Sequence, residues 1–444
     1  MDVFLTIAVI CTILIGFGLA YLVYLLYYNI YVGLILVLLL FVWETLAVAL
    51  PGIILKLIVY PQDFVFLLIG MAAALRYAIS PKYTHAQKIW MVFGVISFGS
   101  LAIGLVRFGT AAGVEFREYY YVWSGVAYVL SFPFETRRFE SVKNGWICAS
   151  GICVATACYR WTVDALGLSV GMGWAAVGAG TSFRVLNAAQ TFVIAQGLII
   201  LVHAYVVGTL KNGKAILVPI FAISVMVLQH RTVWFSLIGT IATWLFVDTG
   251  ARRKVMGGVG ILIIPLAMAI LTLTLWGGVG GEITTSVANS AANVTASQST
   301  LTWRINSWEE LLKDWVSSGP ITILFGKPFG SGFARFLEGV VGEVDVAPHS
   351  YYVVLLLRVG LSGTFALLYC YWLVISRLFR SVPDNALKAK DNLLPLLLIS
   401  QLIYLIAYGL SFAQSILVGM ALANVGKKSL NSTTISRAVP SSSR

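Results

Sequence analysis

Long apolar segments joined by short polar connections dominate this chain. A helix that crosses a bilayer needs about 20 mostly apolar residues, fewer where neighbouring helices shorten the path. The pattern predicts an all-α polytopic membrane protein with about 12 transmembrane helices, the range being 11–13. The predicted spans lie near 3–26, 30–50, 62–78, 88–106, 119–134, 145–160, 189–209, 215–229, 233–248, 256–276, 350–376 and 393–409, with a short thirteenth stretch at 412–425.

The longest connection covers about 277–349 and is predicted to lie on the outer side of the membrane. After a stretch rich in Gly, Ala, Ser and Thr, the residues Trp308, Leu311, Leu312 and Trp315 recur at the spacing of one helix face. This spacing predicts a short amphipathic helix that docks on the membrane or on the helix bundle. Arg304 precedes Trp308 by one turn on the same face, so docking turns Arg304 inward.

The remaining organisation is simple. Residues 1–426 form a single transmembrane domain in this interpretation, with the 277–349 loop as its periplasmic part. The stretch 427–444 is polar and rich in serine, which predicts a disordered cytoplasmic tail.

Composition supports the membrane class. The chain of 444 residues is 59% hydrophobic and 11% charged, and its mean hydropathy is +0.89. Soluble domains are about a quarter charged, so soluble enzymes, disordered proteins and nucleic-acid-binding domains are excluded. The net charge of +12 does not indicate a nucleic-acid partner, because the basic residues are scattered between apolar runs.

The distribution of basic residues predicts orientation. They concentrate in alternate connections, for example at Arg137 and Arg138 and at 252–254, and the positive-inside rule makes those connections cytoplasmic. No basic residue precedes Lys56, so the orientation of the first two helices stays open. The basic residues of the other side are mostly arginines. Arginine suits bidentate recognition of phosphate or carboxylate, and this predicts an outward-facing anion site.

Individual residues carry that prediction. Gln229-His230-Arg231-Thr232 is a polar break between two short apolar segments, and Arg at membrane depth costs a few kcal/mol unless it is paired or hydrated. Arg231 is therefore a functional candidate, and Arg184 is a weaker one. His349 opens the 350–376 helix and titrates near neutrality; a functional and a structural role are equally open before any family argument. Glu343 and Asp345 fit solvated loop charge better than a metal site, and no metal is predicted.

Four features together resemble the superfamily of O-antigen ligases and O-antigen polymerases, which are bacterial envelope glycosyltransferases. These features are Arg231 in Gln-His-Arg-Thr-Val-Trp, Arg304-x-x-x-Trp308, the stretch Phe-Gly326…Phe-Gly330-Ser-Gly332-Phe, and His349-Ser-Tyr-Tyr…Gly360-Leu-Ser-Gly363. The resemblance covers residues 180–375 well and the rest of the chain by topology alone.

The resemblance implies a metal-independent, inverting glycosyltransferase without a cofactor in the bacterial inner membrane, with its active site facing the periplasm. Arg231, Arg304 and Arg184 would bind the diphosphate of a glycan donor linked to undecaprenyl diphosphate. His349 would act on the acceptor hydroxyl as general base, with Trp308 and Tyr351 in support. The implied partners are that donor, an acceptor glycan or lipid A-core, membrane lipids and other envelope polysaccharide proteins.

Two kinds of alternative stay open. A polymerase would join O-antigen or exopolysaccharide repeat units on the lipid carrier, whereas a ligase would transfer the finished glycan to lipid A-core during lipopolysaccharide biosynthesis. The sequence does not decide between them, and we prefer the polymerase. A transporter of polysaccharide or lipid-linked glycan is the competing class. It predicts charges near the bilayer midplane, interrupted helices and repeat symmetry, whereas the informative charges of this chain cluster at one surface.

Overall fold

The computed structural model describes residues 2–47, 53–54, 58–80, 83–168, 184–255, 300–336, 342–379 and 392–437. This part of the chain is mostly helical. The helices are α1 (Asp2–Tyr28), α2 (Ile30–Leu46), α3 (Pro61–Ile79), α4 (His85–Phe108), α5 (Thr110–Leu130), α6 (Thr136–Ala165), α7 (Ala188–Val207), α8 (Asn212–Ala215), α9 (Leu217–Val227), α10 (Arg231–Val247), α11 (Thr300–Ser317), α12 (Pro320–Phe325), α13 (Tyr351–Ile375), α14 (Leu393–Tyr404) and α15 (Gln414–Arg437).

Short strands form two antiparallel hairpins. In the first, β1 (Ile53–Ile54) pairs with β2 (Ile58–Val59). In the second, β3 (Ala334–Phe336) pairs with β4 (Glu343–Asp345), and Arg335 lies opposite Val344. The second hairpin matters for the site because it continues directly from the glycine-rich stretch.

Several helices are suited to a bilayer. Within the described residues, α3, α4, α7 and the helical stretch that begins with α13 are long and apolar enough to cross a membrane. The helices α1 and α2, bent by 112° at their junction, would count as a fifth span if they act as one. Every predicted span in the described ranges contains a helix, but α9, α10 and α14 are only 11, 17 and 12 residues long. The predicted span 256–276 lies outside the described residues, and the total of twelve stays a prediction.

The start of α5 differs from its prediction. The apolar pattern begins the span at 119, whereas the helix starts at Thr110, directly after Gly109 ends α4 with a φ of 60°. The extra turns carry Glu115 and Arg117, which hydropathy excludes from a span. Both are ion-paired, Glu115 with Arg358 and Arg117 with Asp63. Pairing offsets much of the cost of placing charge among apolar helices, and this explains the longer helix.

Close helix contacts depend on small residues. Helix α5 packs against α3, α4 and α15. A Cβ at Gly125 of α5 would lie 2.1 Å from Ser415 Oγ of α15, so only glycine permits this approach. Small residues at helix interfaces are typical of membrane bundles, where close packing replaces the hydrophobic effect.

Side-chain contacts join the helix ends in two groups. At the end that carries the predicted cytoplasmic connections, Arg76 Nη1 donates to Tyr27 O at 2.7 Å and Arg377 Nη2 donates to Val425 O at 3.0 Å. At the opposite end, Arg160 donates to Thr45 O at 2.8 Å and to Val185 O at 2.7 Å. The contact with Tyr27 puts the α1–α2 junction, whose orientation the sequence leaves open, at the Arg76 end.

The C-terminal helix extends further than the composition indicates. Helix α15 continues through 427–437, where the Ser-rich sequence predicts disorder, and 438–444 lie outside the described residues. Extending an existing helix fixes one residue per hydrogen bond, whereas starting one fixes several. The buried first half of α15 supplies that start.

Candidate functional site

The predicted amphipathic helix of the long loop, α11, docks on α13. Leu311 and Trp315 are buried in a cluster with Phe333, Val353 and Leu357. Trp308 and Leu312 pack at the edge of the same cluster, so the four residues face the bundle as their spacing predicts. Docking carries Arg304, one turn before Trp308, toward the bundle, where its guanidinium lies 5.7 Å from the centre of the Tyr408 ring.

The two glycine-bearing motifs pack against each other, backbone to backbone. Gly326 has a φ of 83°, and a Cβ there would lie 2.4 Å from the carbonyl carbon of Arg358. Gly360 interrupts α13 with a φ of 62°, and its Cβ would lie 2.4 Å from the backbone of Leu324. Both positions require glycine because of the conformation and the close approach. The glycine-rich stretch therefore braces α12 against the break in α13.

Arg358 fixes the rest of that stretch. It is 1% exposed and forms an ion pair with Glu115. Its Nη1 donates to Ser331 Oγ at 2.7 Å and its Nη2 to Gly332 O at 2.6 Å. Glu115 also accepts from Gly330 N at 2.6 Å. This arginine is fully engaged inside the protein, so its role is structural.

The β3–β4 hairpin holds a second buried arginine whose bonding is incomplete. Arg335 Nη1 donates to Phe333 O at 2.7 Å and to Val346 O at 2.8 Å. Its Nε and Nη2 are buried without a hydrogen-bond partner. Asp345 accepts from Phe333 N at 2.6 Å and is exposed, as is Glu343. Within the described ranges, no three His, Cys, Asp or Glu side chains form a group suited to a metal ion.

His349 lies between this hairpin and α13. The helix start is fixed to the end of α14, because Tyr351 N donates to Leu405 O at 3.0 Å. The buried Tyr351 ring stacks on Tyr119 with 5.8 Å between ring centres. Partial burial, followed by the nearby guanidiniums of Arg304 and Arg335, lowers the pKa of His349 from its ordinary value. The imidazole is therefore neutral at pH 7, with a nitrogen lone pair free to accept a proton.

A second group joins Arg184 and Arg231. The two guanidiniums are close enough for their charges to repel each other. The Nε of each is buried without a hydrogen-bond partner. Between them in sequence, His230 Nε2 donates to Leu186 O at 2.9 Å, and burial lowers the pKa of His230 to about 4. His230 is thus a neutral turn residue that fixes the start of α10 against the segment after Arg184.

A cavity of about 640 Å³ lies among the helix ends at this side of the protein. Its lining includes Tyr408, over which Arg304 lies, and Asn187, three residues after Arg184. Most of its other lining residues come from the ends of α2 and α14 and the starts of α3, α5 and α7. The structure thus brings Arg304 near His349 and Arg184 near Arg231. Tyr408 connects Arg304 to the cavity wall, and Asn187 of the wall follows Arg184 by three residues in the chain.

Sequence reasoning did not select several residues of this region. Arg335 does not stand out in the sequence, because the hairpin that buries it has no periodic pattern. Glu118 and Tyr408 line the cavity, but they stand in separate apolar segments and only tertiary packing brings them together. The clearest signal in the sequence was the density of charge at 115–118 within an otherwise apolar region.

Comparison with protein-family models, with curated proteins and with solved structures finds no match to this chain.

Proposed function

We propose that this protein is a glycosyltransferase of the bacterial inner membrane that takes its glycan from a donor linked to undecaprenyl diphosphate. The acceptor is a sugar hydroxyl on the periplasmic side. As the preferred reaction, the protein polymerises O-antigen or exopolysaccharide repeat units; transfer to lipid A-core is the alternative. In this proposal the chain has about 12 transmembrane helices and a periplasmic loop at 277–349. The contacts of Arg76 and Arg377 at one end of the helices, and of Arg160 at the other, support this arrangement.

The observation that carries the proposal is the pair Arg184 and Arg231. Buried charges are normally paired or hydrogen-bonded, because an isolated charge among apolar groups is costly. Arg184 and Arg231 are half-buried like charges that lie close together, and the Nε atom of each is buried without a hydrogen-bond partner among the described residues. A diphosphate would supply both the counter-charge and the acceptor oxygens, and guanidinium groups bind phosphate oxygens in bidentate fashion.

The proposed reaction assigns a role to each of these residues. The acceptor hydroxyl oxygen attacks the anomeric carbon, and the bond from that carbon to the phosphate oxygen breaks. The diphosphate leaves with the electron pair, and the arginines stabilise its developing charge, which is typically the largest contribution to catalysis. Neutral His349 takes the hydroxyl proton as general base. Attack from the face opposite the leaving group inverts the anomeric carbon.

Reconstituted transfer tests the proposal. The full chain in lipid nanodiscs is given an undecaprenyl-diphosphate-linked repeat unit, and the length of the lipid-linked glycan is followed by gel electrophoresis. We expect Arg231→Lys to lose most activity, because an ammonium cannot make the bidentate contact. Arg253→Lys, an exposed change six residues beyond the opposite end of α10, is the matched control. Near-normal turnover of Arg231→Lys would contradict bidentate diphosphate binding.

A deletion strain separates the two reactions. Accumulation of single repeat units on the lipid carrier indicates a polymerase. Long carrier-linked polymer that never reaches lipid A-core indicates a ligase. Normal transfer of glycan in extracts of the deletion strain, with lipid-linked glycan retained on the cytoplasmic side, would indicate a transporter and would overturn the proposed reaction.

A further inference from the structure

The cavity that Tyr408 and Asn187 line differs in its chemistry from the two arginine groups. Its volume of about 640 Å³ lies within the range of roughly 300–1,000 Å³ that is usual for small-molecule sites. Arg117 is the cation among its lining residues, and Asp63 neutralises it through an ion pair of 3.0 Å. The two other charged lining residues are Glu44 and Glu118. Carboxylates at these positions would repel the negative charge of a diphosphate.

Unsatisfied polar atoms point to a ligand with hydroxyl groups. Gln62 lines the cavity and is 6% exposed, and its Oε1 is buried without a hydrogen-bond partner. Ser411 Oγ, also in the lining, is likewise without a partner. Buried polar atoms are nearly always hydrogen-bonded in native proteins. Together with the carboxyl groups of Glu44 and Glu118, they offer several hydrogen-bonding positions to one occupant.

The remaining lining is aromatic and apolar. The rings of Tyr60, Tyr121, Tyr408 and Phe412 contribute to the wall. Tyr408 is held in position by stacking on Tyr404, whose ring lies 5.1 Å away. A sugar ring combines apolar C–H faces with a rim of hydroxyls, so it matches a wall of aromatic rings with polar groups between them.

We propose that this cavity is a glycan-binding subsite, in which Glu44, Gln62, Glu118 and Ser411 hydrogen-bond sugar hydroxyls. The inference rests on the proposed function for its place in the reaction. The arginine groups bind the diphosphate, and the cavity binds sugar. The glycan could belong to the donor or to the acceptor, since both carry the same chemistry at this point.

The test fills the cavity without disturbing the backbone. A Cβ at Gly409 would meet only Glu118 Oε2, at 3.8 Å. Gly409 lines the cavity, so the longer side chain of Gly409→Leu is expected to occupy part of it. Gly113→Leu is the matched control, because a Cβ there meets nothing within 4 Å. Equal melting temperatures for both variants and the unmodified chain establish that folding is intact.

Direct binding does not depend on the reaction. The full chain in lipid nanodiscs is mixed with maltose, lactose and N,N′-diacetylchitobiose in turn, and saturation-transfer NMR records contact with the protein. We expect at least one sugar to receive magnetisation from the unmodified chain and from Gly113→Leu but not from Gly409→Leu. Inorganic pyrophosphate, followed by isothermal titration calorimetry, should bind all three proteins, because the arginines are unchanged. Absence of transfer to every sugar, or equal transfer in Gly409→Leu, would overturn the subsite.

Kinetics distinguish the source of the sugar. If the proposed transfer reaction occurs, Gly409→Leu should raise a KM at least tenfold. A rise in the acceptor KM assigns the subsite to the acceptor, and a rise in the donor KM assigns it to the donor. If both KM values are unchanged, the subsite is overturned while the proposed function stands. If no transfer occurs but sugar binding behaves as expected, the proposed function fails while the subsite stands.

Discussion

Two polar clusters lie among the apolar helices, and their bonding differs. In the first, Gln414 Nε2 donates to Gln196 Oε1 at 2.9 Å, and Gln401 Nε2 donates to Gln414 Oε1 at 2.7 Å. Tyr371 OH donates to Gln401 Oε1 at 3.0 Å, and Gln196 Nε2 donates to Ser400 Oγ at 3.3 Å. In the second cluster, Arg184 and Arg231 repel each other and retain unpartnered Nε atoms.

This difference indicates a structural role for the glutamine cluster and makes the arginine pair the candidate for a functional role. The glutamine cluster joins α7, α13, α14 and α15 through bonds that the protein supplies itself, so it needs no ligand. Such a network helps to specify a unique packing. The arginine pair keeps two Nε atoms without a hydrogen-bond partner in the described part of the chain, and the proposed function assigns the diphosphate to that place. We therefore expect changes in the first cluster to affect stability and changes in the arginine groups to affect activity.

The largest expected effect is on transfer. Arg304→Ala should reduce the rate by roughly 100- to 1,000-fold, the usual loss when one group that stabilises transition-state charge is removed. The melting temperature should stay close to that of the unmodified chain, because Arg304 lies over the Tyr408 ring and near His349 without an ion pair or hydrogen bond to another described residue. Rates come from the nanodisc assay and melting temperatures from a thermal unfolding scan.

Lys313→Ala on the same helix is the matched control. Lys313 is exposed and pairs with Glu309 and Glu310 on the solvent side, so its loss should leave transfer unchanged. Comparable activity of Arg304→Ala and Lys313→Ala would remove Arg304 from the site.

The next effect is on stability. Gln414→Leu leaves Gln196 Oε1 and Gln401 Nε2 without partners, and interhelical hydrogen bonds in membranes contribute about 0.6–2 kcal/mol each. We expect the free energy of unfolding to fall by about 1–3 kcal/mol. Arg231→Leu should leave it unchanged or raise it, since the change relieves repulsion with Arg184. Equal destabilisation by both variants in thermal unfolding would show that Arg231 is as structural as Gln414.

The sequence predicts the helices and the docking face of α11 better than it predicts which side chains contact each other. Helix positions and the docking face of α11 follow from periodicity, because a docked helix repeats its apolar residues every three or four positions. Arg231 also stands out, as a charge in a polar break between apolar segments. The neighbours of these residues do not follow from the pattern. The β3–β4 hairpin places the charge of Arg335 near His349. Glu115 forms its ion pair with Arg358, which is 243 positions away in the sequence. Such contacts depend on tertiary packing.

A smaller effect concerns pH. His349 must be neutral to accept a proton, so activity is present above its folded-state pKa and is lost as the pH falls through that value. Arg335 is one of the cations that lower this pKa. Arg335→Gln should therefore raise the pKa and move the acidic limb of the pH–rate profile to higher pH. An unchanged midpoint, with activity retained, would mean that His349 is not the group that titrates in the reaction.

The smallest expected effect concerns a cation of the same loop that is already paired. Lys327 forms an ion pair with the exposed Asp314, and exposed pairs contribute about 0–1 kcal/mol. Lys327→Met should lower the free energy of unfolding by less than about 1 kcal/mol and leave transfer at the normal rate. If Lys327→Met instead lost activity as Arg304→Ala does, positive charge anywhere on the loop would suffice. The distinction between paired and unpaired cations would then no longer identify the site.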